Sequence, residues 1–149
     1  MQYTEGRLVR VFQVRVDHGE DLLESLASFV REKGIRCGFA QFLGAVQGGR
    51  VVTGPKETVL PPDPSFESYE HGWEVFGFAS ITPGEDGPHL HYHASLGKHR
   101  EVLIGCLRER ATVYIIVEVL IIEVTGSTVA RKRDPVTGLE LPVFGDKSA

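Results

Sequence analysis

Apolar and polar residues alternate at the end of the first segment, Arg7 to Val16. Phe12, Val14 and Val16 fall on one face and Gln13 and Arg15 on the other, which is the period of a strand. The period then changes. Leu22, Leu23, Leu26, Phe29 and Val30 recur at helical spacing, with Arg31, Glu32 and Lys33 on the polar side, so this stretch is the clearest helix of the chain. Asp17 and Glu20 are spaced as a capping box before it, and Gly34 is a natural stop after it.

Beyond the helix the pattern predicts mainly strands. Ile35 to Val46 is apolar with small residues, Gln47-Gly48-Gly49-Arg50 reads as a glycine turn, and Val51-Val52-Thr53 reads as a second strand. Prolines make Thr58 to Pro64 a loop or an edge. A polar stretch with Glu67, Glu70 and His71 leads into a strand over Trp73 to Thr82, and Pro83 to Pro88 is a turn. His89 to Leu96 forms the next segment, a short second helix is expected around Arg100 to Leu107, and Ala111 to Val124 forms a long final strand. The tail from about 125 to 149, with a turn at Asp134 to Gly138, is expected to wrap the surface. These elements predict an α+β fold, a mostly antiparallel β-sheet with one main helix and a short second helix packed on it. With no internal repeat and no linker, residues 1–149 form one expected domain.

Composition narrows the class. The 149 residues are 42% hydrophobic and 24% charged, as expected of a globular chain. The most apolar run, Thr112 to Val124, carries Glu118 and Glu123 and is too short to cross a bilayer. The N-terminus lacks the order of a signal peptide, and two cysteines, Cys37 and Cys106, make no disulfide framework. A cytoplasmic location is therefore expected. The net charge of −4 lends no support to a duplex-DNA grip. The basic run Arg131-Lys132-Arg133 reads as a solvated turn.

The chemistry concentrates in His89-Leu90-His91-Tyr92-His93-Ala94-Ser95-Leu96. Strict alternation places His89, His91, His93 and Ser95 on one face of a strand, with i and i+2 about 6.5–7 Å apart. Two imidazoles at that spacing can lean toward one metal ion, although a stable zinc centre wants three or four ligands. His89, at the edge of the turn, is a weaker ligand candidate or a solvated residue. His99 follows in a turn, and His18 and His71 read as surface residues. Cys106, within Val102 to Leu107, would by itself be a small core residue.

Several segments together resemble the plant-and-prokaryote conserved (PPC) domain: Gly19-Glu20-Asp21-Leu22, Gly44-Ala45-Val46, Leu60-Pro61 and Pro88 to Leu96. Ile104-Gly105-Cys106-Leu107, Val117-Glu118-Val119 and the tail Arg133 to Leu139 continue the similarity. The resemblance implies a sheet with helices assembled as a homotrimer. In some prokaryotic members it implies a metal held by the His-x-His strand and a histidine of the later glycine element. Carried over here, the ligands are His91, His93 and Cys106, the last standing where the family more often has histidine. Thiolate is a competent zinc ligand in its place. The metal would be zinc or another divalent transition metal, with a coordination position left for water or a small anionic ligand. Plant members join the domain to DNA-binding AT-hooks; this chain has no Arg-Gly-Arg-Pro core, so a DNA-binding role rests on family analogy alone.

Three functions compete at this level: a metal-binding trimer that binds a small ligand, a metal-dependent hydrolase and a DNA-binding regulator. The hydrolase needs a carboxylate beside the metal, for which Glu118 is the candidate and Glu101 a weaker one. No phosphate-binding glycine loop and no Ser-His-Asp order can be read from the chain, so catalysis is left open.

Overall fold

The computed structural model describes residues 1–145. Its elements run β1 (Arg7–Asp17), α1 (Leu22–Glu32), β2 (Gly38–Pro55), β3 (Pro64–Gly84), β4 (Gly87–Lys98), β5 (Glu101–Thr125), β6 (Val129–Arg133) and β7 (Glu140–Phe144). The main sheet has the order β1-β5-β2-β3-β4, and β4 also pairs with β5. Every pairing in it is antiparallel. This is the expected mostly antiparallel sheet with one main helix.

The helix buries Leu22, Leu26 and Val30 completely against the sheet. Each such side chain contributes roughly 1.5–3 kcal/mol when removed from water. Across the sheet the buried partners are Ala40, Phe42, Val117, Val119 and Ile121. The N-cap is Asp21, whose Oδ1 accepts from the Glu24 amide at 2.9 Å, so the capping expected from Asp17 is corrected. Glu20 does reach back to the Asp17 amide, at 2.7 Å, one turn ahead of the helix.

Two further expectations give way to longer strands. Residues around Arg100 to Leu107 belong to β5 and not to a second helix. Here Leu103, Gly105 and Leu107 turn inward while Val102 and Ile104 are exposed, which is a period of two. Gly105 lies so close to β2 that a Cβ there would stand 2.0 Å from the Val52 carbonyl oxygen. Likewise, Gln47 to Arg50 makes no hairpin. Strand β2 runs straight through it, with register shifts at Val46/Gly48 and Gly49/Arg50. Gly49 serves close packing, since its Cβ would meet the Arg110 carbonyl at 2.2 Å and the Tyr69 hydroxyl at 2.5 Å. Such bulges bend a sheet, and the bend lets one end of β5 lie between β2 and β4 while the other lies between β1 and β2.

The chain after Thr125 forms a second, two-stranded sheet, β6 with β7. Its anchor is Arg131, which is 9% exposed. The guanidinium donates to the Thr82 and Ser80 hydroxyls at 3.3 and 3.4 Å and to the Glu140 carbonyl at 2.6 Å. The basic run is thus a strand with a buried arginine, which corrects the solvated turn. The last four residues of the expected tail, 146–149, lie outside the described residues. No helix among the described residues is long and apolar enough to cross a membrane.

Candidate metal centre

Strand β4 carries His91 and His93 on the sheet face away from the helix, because the alternating Tyr92 and Ala94 point into the core. The hairpin from β4 to β5 then sets Cys106 directly opposite His93 in the ladder. The Cys106 Sγ is 2.9 Å from His93 Nε2 and 3.2 Å from His91 Nε2. The two imidazole rings meet edge to face with centroids 4.9 Å apart, and the three potential ligand atoms all lie within 4.8 Å of one another.

The donor set fits a divalent metal. Bond lengths of about 2.0–2.1 Å to nitrogen and 2.3 Å to sulfur place tetrahedral donors roughly 3.3–3.6 Å apart; the sulfur–nitrogen distances of 2.9 and 3.2 Å are shorter than that, so the side chains would open slightly around an ion. Two imidazoles and a thiol are borderline-soft ligands, suited to zinc and its neighbours more than to calcium or magnesium.

Electrostatics favour the same use. Burial, reinforced by the positive fields of Arg131, His93 and Arg108, pushes the His91 imidazole down to about 4, so near neutrality it is an unprotonated donor. Burial pushes the Cys106 thiol up, against the pull of Arg108 and Arg131, so a metal at this position must displace its proton. A consequence is measurable in metal-free protein. The unfolded chain protonates His91 near the ordinary value of 6.5 and the folded chain only near 4. The unfolded state therefore binds more protons in that window, so stability rises with pH there and is lost as the pH falls. The Tm of the metal-free protein should drop as the pH is lowered from 6.5 toward 4, and His91→Gln should flatten the slope. Parallel curves for the two proteins would deny His91 this role.

The remaining sequence candidates lie elsewhere. His89 turns to β7, its Nδ1 3.2 Å from a Glu140 carboxylate oxygen. His99 occupies the turn after β4 at φ 55°, and His18 accepts from the Ile115 amide at 3.1 Å. Glu118 is on the expected strand but in its other half, exposed and opposite Leu43 and Arg15. Within one chain it therefore lies away from His91 and His93. Glu101 is at the hairpin end, opposite Lys98.

The cluster forms part of the wall of an open groove of about 660 Å³, with Arg108, Phe66 and Leu139 among its lining. Sequence reasoning missed these three. Arg108 follows Cys106 by two residues on the same strand face, a signal that was readable once the strand was known. Phe66 and Leu139 come from β3 and the segment before β7, and no local period announces that convergence.

The comparisons with known proteins agree with this architecture. The model of the Plants and Prokaryotes Conserved (PCC) domain matches residues 3–125. A metal-containing protein from Archaeoglobus fulgidus is 27% identical, with 96% of this chain and 99% of that one covered and a TM-score of 0.85. A plant- and prokaryote-conserved protein from Pyrococcus horikoshii is 22% identical, with both chains covered completely and a TM-score of 0.80. A candidate DNA-binding protein from Bacteroides thetaiotaomicron is 20% identical over 93% of this chain and 97% of that one, with a TM-score of 0.76. None of the curated proteins matches the chain at a significant level.

Proposed function

Because the chain belongs to the Plants and Prokaryotes Conserved (PCC) domain family, its model matching residues 3–125, we propose that it is a homotrimeric metal-binding protein that captures a small anionic ligand. The single observation carrying this reading is the convergence of His91, His93 and Cys106, with all three donor atoms within 4.8 Å. Zinc is the metal that best suits two imidazoles and a thiolate. A metal so held supplies a Lewis-acid centre with a coordination position free for an anion. The name of the Archaeoglobus protein supports a metal in this fold. Working in the cytosol keeps Cys106 reduced and able to bind, consistent with two free cysteines.

The homotrimer draws support from the sheet face that the helix leaves open. Phe39, Leu43, Phe76 and Phe78 project from β2 and β3 on that face, each between 44% and 55% exposed. Phe78 is the cross-strand neighbour of His93, so an interface on these residues would border the metal centre. Apolar patches of this kind mark protein–protein contact.

A hydrolase reading loses its base, since no Asp or Glu is among the described residues lining the groove. The DNA-binding name attached to the Bacteroides protein comes with 20% identity, which speaks for the fold alone. The test is metal content per chain on tag-free, chelator-free protein. Near-stoichiometric transition metal is expected. Cys106→His should retain it and Cys106→Ala should weaken it; unchanged affinity in the alanine variant would return Cys106 to the role of a packing residue.

A further inference from the structure

The groove beside the metal centre has two chemically different parts. His91, His93, Cys106 and Arg108 supply its polar lining; Val52, Pro55, Pro62, Phe66, Ile104 and Leu139 supply its apolar lining. Phe66, Ile104 and Leu139 are 41%, 61% and 48% exposed, so three large apolar side chains from separate segments face one concavity. A groove of about 660 Å³ is within the range of small-molecule sites, which combine apolar walls with a few convergent polar groups.

The charged groups differ in availability. Arg131 has its guanidinium engaged with Thr82, Ser80 and the Glu140 carbonyl, so it contributes field and no free donor fork. Arg50 pairs with Glu109 at 2.6 Å and lies 4.3 Å over the Phe66 ring. Arg108 is exposed, lines the groove and has no ion-pair or hydrogen-bond partner among the described residues. No carboxylate among the described residues lines the groove to compete for it. In a chain of net charge −4, that is a local reversal of sign. A lone planar guanidinium suits a carboxylate, which it can bind with two parallel hydrogen bonds.

We propose that this groove binds small monocarboxylates with an apolar body, the carboxylate at Arg108 beside the histidine–cysteine cluster and the hydrocarbon against Phe66, Pro62 and Leu139. The inference deepens the metal-site reading and rests on it for the position of the head group. The apolar wall separates this ligand class from inorganic phosphate, which would leave Phe66 and Leu139 without a partner. It also separates it from acetate, which has almost nothing to bury.

The experiment is calorimetric titration of the tag-free protein, zinc-loaded and metal-stripped, with acetate, butyrate, hexanoate and inorganic phosphate. For the loaded protein, affinity should rise roughly threefold to fourfold per added CH₂ group, with phosphate weaker than hexanoate. Arg108→Gln should weaken hexanoate at least about tenfold at unchanged metal content, and Phe66→Ala should flatten the chain-length series. A flat series, no binding of any carboxylate, or phosphate matching hexanoate would overturn the proposal, even in a fully loaded protein. A protein that holds no metal yet shows the series and its Arg108 dependence would fail the metal reading alone. The two failures are thereby told apart.

Discussion

Replacing both His91 and His93 by alanine should take the protein from about one transition metal per chain to background, with the fold intact. Loss of a group that merely orients a ligand costs about 10–100-fold in metal affinity. Loss of a ligand itself should exceed the upper end of that range, and loss of two leaves Cys106 as a single thiol. The fold should survive because both side chains are on the open face of β4, His93 exposed and His91 half-buried. The buried residues of that strand are Tyr92, Ala94 and Leu96. Plasma mass spectrometry gives the metal and far-UV circular dichroism the fold. Undiminished metal in the double variant would falsify the assignment, and a misfolded double variant would pass the question to the single His93→Ala, at the more exposed site.

A second large effect is expected from Phe76→Glu, paired with Leu43→Glu as an independent variant. These two residues face each other across β2 and β3 and are 55% and 50% exposed. In a trimer that covers them, each should contribute roughly 1.5–3 kcal/mol by leaving water. A carboxylate in the same place adds several kcal/mol of desolvation. A combined loss of about 4 kcal/mol per interface is a change of about a thousandfold in association. Sedimentation equilibrium should show trimer for the natural sequence and monomer for either variant. Neither position contacts the ligand cluster through the ladder, so metal content provides an internal control of folding. Trimers in both variants would place the interface elsewhere, and a monomeric natural protein would remove the assembly altogether.

The histidine pair was legible from the chain because its signal is local: strict alternation puts His91 and His93 on one face, and nothing beyond the strand is needed to say so. The main helix was legible for the same reason, through Leu22, Leu26 and Val30. Cys106 was different. Its own surroundings, Ile104-Gly105 and Leu107, describe a small core residue, and only the family resemblance set it beside the histidines. The long strands were hidden by their bulges. Gly48-Gly49 carries the composition of a hairpin turn, yet Gly49 is required by the approach of Tyr69 and Arg110. Glu118 shows the complementary failure: the strand was right and its position along it was not, because β5 exchanges β4 for β1 as a neighbour between Cys106 and Ile116. Arg131 escaped notice since a buried arginine satisfied by two hydroxyls and a carbonyl looks, in sequence, like any basic run.

The position of β5 also sets an order of events during synthesis. Strands β2, β3 and β4 follow one another as a meander, so His91 and His93 can occupy their places as soon as residue 98 is free of the ribosome. Strand β1 has to wait, for its partner in the sheet begins with Asp17 opposite Ile116 and ends with Arg7 opposite Thr125. Until then the nascent chain carries an unpaired first strand and an open edge on β2, the kind of exposed template that invites wrong pairing. Closing so distant a contact is slow compared with local folding. Cys106, the proposed third ligand, arrives on the same strand that ends this exposure, so a chain with all three donors in place is also one whose sheet has begun to close.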